Sequence, residues 1–161
     1  MKPLVIMLPD QGATEDLARA VAGVSAAGDA ILLSGVLGAG KTVFSRAFLR
    51  AACDDADMEV PSPSYTLVQT YDAASGAVSH FDLWRLDGPD ALHELGWDDA
   101  CEGIVLVEWP DRLAELTPPD ALRIEIRVMD DGGRQAVLEG WDGRPVMAAL
   151  AAAQGEGRTG T

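Results

Sequence analysis

The sequence predicts a single α/β domain, and three observations indicate that class. Two continuously apolar runs, residues 30–33 and 104–107, are typical of strands that are buried on both faces of a sheet. Patterns of amphipathic helix alternate with strand-like runs along the chain. The length of 161 residues, 48% of them hydrophobic, fits one domain and excludes a largely disordered chain.

The predicted elements are short and closely spaced. The predicted strands cover residues 4–7, 30–34, 66–71, 78–83, 104–108, 122–128 and 135–138. The predicted helices run from Thr14, as the N-terminal cap, to about Gly28, and over residues 41–52, 90–95 and 145–153. The last two strands form a β-hairpin across Asp131-Gly132-Gly133. The domain is therefore expected to span residues 1–153, with a flexible tail at 154–161.

The charge of the chain limits what it binds. Twelve lysine and arginine residues stand against 26 aspartate and glutamate residues, which gives a net charge of −14. Because proteins hold nucleic-acid phosphates with lysine and arginine, no autonomous binding of nucleic acid is expected. Of the two lysines, Lys2 and Lys41, only Lys41 lies in a segment that could carry out chemistry.

The cellular setting follows from several smaller features. The apolar runs are far shorter than the roughly 20 residues of a membrane span, and the N-terminus lacks a signal-peptide pattern. Cys53 and Cys101 lie far apart and form no metal-binding spacing with His80 and His93. The sequence therefore predicts a cytoplasmic protein without a membrane contact.

A glycine-rich segment between the second strand and its helix fits the phosphate-loop pattern G-x-x-x-x-G-K-[ST] in full. Small residues let successive backbone N–H groups point at a polyphosphate, and the following helix adds the positive end of its dipole. Lys41 would reach the β- and γ-phosphates, and the Thr42 hydroxyl would ligate Mg²⁺. The predicted nucleotide-contacting residues of the loop are Gly35, Leu37, Gly38, Ala39, Gly40, Lys41 and Thr42.

A phosphate loop needs a carboxylate nearby, and two residues compete for that position. Glu108 directly follows the apolar run 104–107 and could act through Mg²⁺ or as a base that orients water. Asp82 shares one face of its strand with His80 and could serve instead, or could pair structurally with Arg85. His80 itself could equally be a structural histidine.

Hydroxyl groups are concentrated between two prolines after the phosphate-loop helix. Ser62, Ser64 and Thr66 lie in a segment that proline holds extended. This segment is either a stiff linker or a switch-like loop whose hydroxyls sense the γ-phosphate or Mg²⁺. The residues alone do not decide between the two.

Together these motifs closely resemble the bacterial TsaE (YjeE) family, the ATPase component of tRNA threonylcarbamoyladenosine biosynthesis. The resemblance covers roughly residues 8–128. Beside the phosphate loop, the matching motifs are Ser-Pro-Ser-Tyr-Thr-Leu-Val at 62–68, His-Phe-Asp-Leu-Trp-Arg-Leu at 80–86, Glu-Leu-Gly at 94–96 and Val-Glu-Trp-Pro at 107–110. Departures from the family pattern are Val36, Ser64 and Trp84, where Asp, Thr and Tyr are usual.

The resemblance implies a P-loop NTPase fold, with a mixed, mostly parallel sheet flanked by helices. It implies ATP and Mg²⁺ as cofactors, low intrinsic ATPase activity, and TsaD and TsaB as partners. It places Lys41, Asp82 and Glu108 in the catalytic neighbourhood, and Thr42 and Glu108 at the metal. It also implies nucleotide contacts outside the loop, made by Gln11, Thr14, Trp109 and, on a fainter match, Arg134.

Two other functions are consistent with the phosphate loop. A small-molecule kinase would need an acceptor pocket and usually an arginine-bearing lid, but Arg85 and Arg112 are isolated. A nucleotide-dependent interaction module would bind ATP without hydrolysing it. Phosphoryl transfer to an acceptor would distinguish the first alternative, and the absence of partner-stimulated hydrolysis would distinguish the second.

Overall fold

The computed structural model describes residues 3–36, 38–61, 66–74 and 76–159, with side chains as far as Ala153. The strands in these ranges are β1 (Leu4–Leu8), β2 (Ala30–Ser34), β3 (Val68–Ala73), β4 (Gly76–Asp82), β5 (Ile104–Glu108), β6 (Leu122–Val128) and β7 (Arg134–Glu139). The helices are α1 (Gln11–Val24), α2 (Lys41–Ala52), α3 (Asp90–Glu94), α4 (Trp97–Ala100) and α5 (Pro145–Thr159), with a 3₁₀ helix at Pro110–Leu116.

All seven described strands form one sheet in the order β1-β7-β6-β2-β5-β4-β3. The four central strands, β6, β2, β5 and β4, are parallel to one another. Antiparallel strands extend both edges: β7 and β1 on one side, and β3 on the other. The predicted mixed sheet is confirmed, as is the β6–β7 hairpin.

The central strands bury both faces, which explains their continuous apolar runs. On β2, Ile31 and Leu33 belong to a core cluster with Phe44 and Phe48 of α2. Leu32, between them, faces the opposite cluster, which includes Trp97 of α4. The central strands therefore lie between two helical layers, and this fixes the ends of β2, β4 and β5 against the start of α2.

Two predicted helix ends differ from the structure. Helix α1 begins at Gln11, and its cap is Asp10, whose carboxylate accepts a 2.9 Å hydrogen bond from the Ala13 N–H. Thr14 is instead a buried residue inside the helix. Helix α5 ends at Thr159 rather than at residue 153. The flexibility of residues 154–161 stays a prediction.

No helix among the residues with a described structure is long and apolar enough to cross a bilayer.

Candidate nucleotide-binding site

The phosphate loop connects the end of β2 to the start of α2. Gly35, Gly38 and Gly40 have positive φ angles of 141°, 81° and 115°. A Cβ on Gly35 would lie 2.5 Å from the carbonyl oxygen of Ile126 on β6, so only glycine fits there. Gly40 precedes α2 without a side-chain cap, which leaves the helix N-terminal N–H groups for an anion. Leu37 lies outside the described residues.

Lys41 is held in the loop by backbone oxygens. Its ammonium group donates hydrogen bonds to the carbonyl oxygens of Gly35, at 2.5 Å, and of Val36, at 3.1 Å. The residue is buried, and this desolvation lowers the pKa of the ammonium group, against the opposing effect of the carboxylates of Glu108 and Asp82. Thr42, the next residue, is exposed at the start of α2.

The two candidate carboxylates end neighbouring parallel strands. Asp82 ends β4 and Glu108 ends β5, and the two are directly paired in the register of the sheet. Both are buried, with 7% and 4% of their surface exposed. Glu108 accepts hydrogen bonds from the Ser45 hydroxyl of α2, at 3.2 Å, and from Nε2 of His80, at 2.8 Å. The carboxylates therefore lie on the α2 side of the sheet, where their charge reaches Lys41.

Trp109 follows Glu108 and encloses Lys41. It adopts the left-handed backbone conformation, with φ 60° and ψ 55°, which is uncommon for a bulky residue. The centre of its ring lies 4.1 Å from the Lys41 ammonium group and 4.4 Å from the centre of the half-exposed Trp84 ring. The Trp109 ring therefore covers the lysine beside the carboxylates, and Trp84 packs against Trp109.

A cleft of about 270 Å³ opens on the other side of the loop. Gln11 and Thr14 of α1 line it together with Gly38 and Gly40. Arg134, from the start of β7, also lines it and donates hydrogen bonds to the carbonyl oxygens of Ala39, at 3.0 Å, and Gly38, at 3.4 Å. Gln11, Thr14 and Arg134 thus all lie at the edge of the phosphate loop. Only the resemblance had predicted these three residues.

The sequence did not predict Ser45 as a residue of the site, and the predicted switch-like loop is only partly described. Ser45 is almost completely buried, and the available signal was a hydroxyl on the apolar side of α2. Of the switch-like loop, Ser62 and Ser64 lie outside the described residues, whereas Thr66 is an exposed turn residue before β3. The position of the two serines relative to the loop therefore stays a prediction.

The site combines two features that define a class of protein. A glycine-rich loop joins the central strand β2 to helix α2, and acidic residues end the next two strands of the sheet, β5 and β4. The chain has the P-loop NTPase fold and a nucleotide-binding phosphate loop.

The comparisons with known proteins narrow the class to a family. The model of the family "Threonylcarbamoyl adenosine biosynthesis protein TsaE" matches residues 8–136. The TsaE proteins of Rickettsia felis and Aquifex aeolicus are each 33% identical to this chain, over 81% of it and over 76% and 91% of their own lengths. The Bacillus subtilis TsaE is 32% identical over 76% of both chains. The chain belongs to the TsaE family, which acts in the biosynthesis of tRNA threonylcarbamoyladenosine.

A solved structure agrees with this fold. The crystal structure of Bacillus subtilis YdiB superimposes with a TM-score of 0.70 and covers 98% of this chain and 97% of its own. The two sequences are 24% identical, so this likeness concerns the fold.

Proposed function

We propose that this chain is an ATPase that binds ATP with Mg²⁺, hydrolyses it slowly alone and faster with TsaB and TsaD, and thereby supports turnover of the complex that forms threonylcarbamoyladenosine. The observation that carries the proposal is the pair of buried carboxylates, Asp82 and Glu108, whose charge acts on Lys41. A loop that only bound nucleotide with Mg²⁺ would need one carboxylate for the metal, whereas a second buried carboxylate beside it leaves one to orient a water molecule.

The loop and its helix would bind the polyphosphate. Backbone N–H groups at the start of α2 and the Lys41 ammonium group would receive the phosphate oxygens in place of the two carbonyls that Lys41 now contacts. The cleft beside Gln11, Thr14 and Arg134 would receive the base and ribose. Trp109 would border the phosphates from the opposite side, next to Lys41.

The residues present fit a magnesium ion that arrives with the nucleotide. No group of three or more histidine, cysteine, aspartate or glutamate side chains within the described ranges is arranged to hold a metal. Mg²⁺ in nucleotide sites usually takes one or two protein oxygens and completes its shell with phosphates and water. The Thr42 hydroxyl and Glu108 would hold it, and when bound it neutralises charge on the phosphates.

Hydrolysis would depend on a carboxylate that accepts a hydrogen bond from the attacking water. Glu108 and Asp82 are both candidates because they lie at the ends of neighbouring strands, on the same face of the sheet and beside the loop. The net charge of −14 supports a division of labour in which the partner proteins hold the tRNA.

The test is steady-state ATP hydrolysis by the chain alone and with TsaB and TsaD, for the wild type and for Glu108→Gln and Asp82→Asn. The proposal requires partner-stimulated release of phosphate, and a loss of at least tenfold in one carboxylate variant with ATP affinity retained. ATP-dependent complex formation without any stimulated hydrolysis would overturn it in favour of an interaction module. Transfer of the phosphoryl group to a small-molecule acceptor would overturn it in favour of a kinase.

A further inference from the structure

A buried histidine lies directly against Glu108. His80 is only 2% exposed, in the part of β4 that pairs with Leu106 of β5. Its Nε2 atom lies 2.8 Å from Oε2 of Glu108, and the Ser45 hydroxyl donates to the same oxygen from 3.2 Å. Two donors from two different elements, β4 and α2, therefore converge on one oxygen of this carboxylate.

The convergence leaves the other oxygen of Glu108 available. Within the described residues, Oε1 accepts no hydrogen bond, whereas Oε2 accepts two. A carboxylate held through one oxygen has a restricted rotamer and keeps its second oxygen for another donor. Such an arrangement suits a group that must orient a water molecule rather than one that only completes a core.

The histidine is poorly explained as a packing residue. Because a carboxylate only accepts hydrogen bonds, Nε2 must carry the hydrogen in this contact. Nδ1 is then left buried without a hydrogen-bond partner among the described residues. Buried polar atoms are nearly always paired, and the strand positions on either side of His80 are well packed. An apolar side chain would fill this place without the unpaired atom.

We propose that His80 is a positioning residue for Glu108: with Ser45, it fixes Oε2 so that Oε1 is presented to the water that attacks ATP. This inference rests on the proposed ATPase function and on Glu108 being the residue that orients the water. Any magnesium contact of Glu108 would be positioned by the same hydrogen bonds. His80 itself touches neither nucleotide nor water in this role.

Three substitutions at position 80 separate positioning from packing. Glutamine places its amide nitrogen as many bonds from Cβ as Nε2 of histidine, so His80→Gln keeps the donor to Glu108. Asparagine places its nitrogen where Nδ1 lies, so His80→Asn loses that donor, and His80→Leu removes it altogether. We expect kcat for partner-stimulated hydrolysis to fall by about 10- to 100-fold in His80→Asn and His80→Leu. We expect His80→Gln to stay within about threefold of the wild type, with the KM for ATP little changed in all three.

A double-mutant cycle tests whether His80 acts through Glu108. In the Glu108→Gln background, His80→Leu should cause no further loss of kcat, because the group that it positions is already gone. His93→Gln is the matched control, since His93 is an exposed histidine on α3 with only a 3.4 Å contact to Asp98. The inference would be overturned if the losses of kcat in His80→Leu and Glu108→Gln added in the double variant. It would also be overturned if His80→Gln were as slow as His80→Leu.

A second measurement does not depend on activity. In histidine-labelled protein, ¹⁵N NMR of the imidazole distinguishes the tautomer with hydrogen on Nε2, and His93→Gln leaves His80 as the only histidine. The inference requires the Nε2–H form, with signals that shift in Glu108→Gln and not in the control Glu94→Gln on α3. An Nδ1–H tautomer would overturn it. An inactive wild type with the expected spectrum would instead count against the proposed function.

Discussion

The ammonium group of Lys41 lies 4.1 Å from the centre of the Trp109 ring, and Trp109 directly follows Glu108 in the chain. A cation above an indole ring gains about 0.5–2 kcal/mol, more when water is excluded. The end of β5 therefore supplies both the carboxylate and the aromatic surface that face the only described lysine. This short segment therefore acts on Lys41 together with the loop carbonyl oxygens that its ammonium group contacts.

Replacing Lys41 with methionine should weaken ATP binding while the fold persists. Hydrogen bonds to charged groups contribute about 1.5–3 kcal/mol, so the Kd for ATP should rise by about 10- to 100-fold. Isothermal titration calorimetry measures this rise directly. The other lysine provides the control: Lys2→Met removes the same charge and should leave the Kd unchanged. Equal affinities in Lys41→Met and the wild type would contradict a phosphate role for Lys41.

The pKa of Lys41 predicts how ATP binding depends on alkaline pH. Burial lowers this pKa below the ordinary value of 10.5, so the charged form that binds phosphate is lost at a lower pH than for a free lysine. Glu108 raises the pKa, and Glu108→Gln should therefore move the loss of binding to still lower pH. Measurements of Kd from pH 7 to 10.5 would follow both effects.

The same shift has a consequence for stability, with a defined sign. A lysine whose pKa is lower in the folded state than in the unfolded state opposes folding while it is protonated. The free energy of unfolding should therefore rise as the pH increases from the folded-state pKa of Lys41 toward 10.5. Lys41→Met should remove this rise in denaturant unfolding. A Lys41→Met variant with the wild-type alkaline profile would assign the rise to other groups.

Features that depend on neighbouring residues could be predicted from the sequence, whereas contacts between residues far apart in the chain could not. The phosphate loop and the buried strands were predictable because glycine spacing and apolar runs are local signals. The cap of α1 was misplaced because Asp10 and Thr14 are both good caps, and only the hydrogen bond to Ala13 distinguishes them. The contact of Arg134 with Ala39 joins residues that are far apart in sequence, which no local pattern encodes.

Gly35 is expected to be the least replaceable glycine of the loop. In Gly35→Ala the new Cβ would adopt φ +141° and lie 2.5 Å from the Ile126 carbonyl oxygen, so both backbone strain and overlap oppose it. The free energy of unfolding should fall by about 3 kcal/mol or more. Gly143→Ala separates the two effects, because Gly143 has φ +79° and nothing within 4 Å. In Gly143→Ala the free energy of unfolding should fall by about 1–2 kcal/mol. Similar urea midpoints for the two variants would argue against the close approach of β6 to the loop.

Arg134 should stabilise the phosphate loop from outside it. The guanidinium group donates to the carbonyl oxygens of Ala39 and Gly38 and to that of Gly132 in the hairpin turn, and so ties the turn to the loop. In Arg134→Gln these bonds are lost, and we expect the Kd for ATP to rise by about 3- to 10-fold because the loop is less well ordered. The control is Arg127→Gln on the same hairpin, where the arginine is half-exposed and pairs only with Glu125. Calorimetric titration of both variants decides the matter: a rise in Arg134→Gln alone supports the tie, and equal rises would indicate that only positive charge on the hairpin matters.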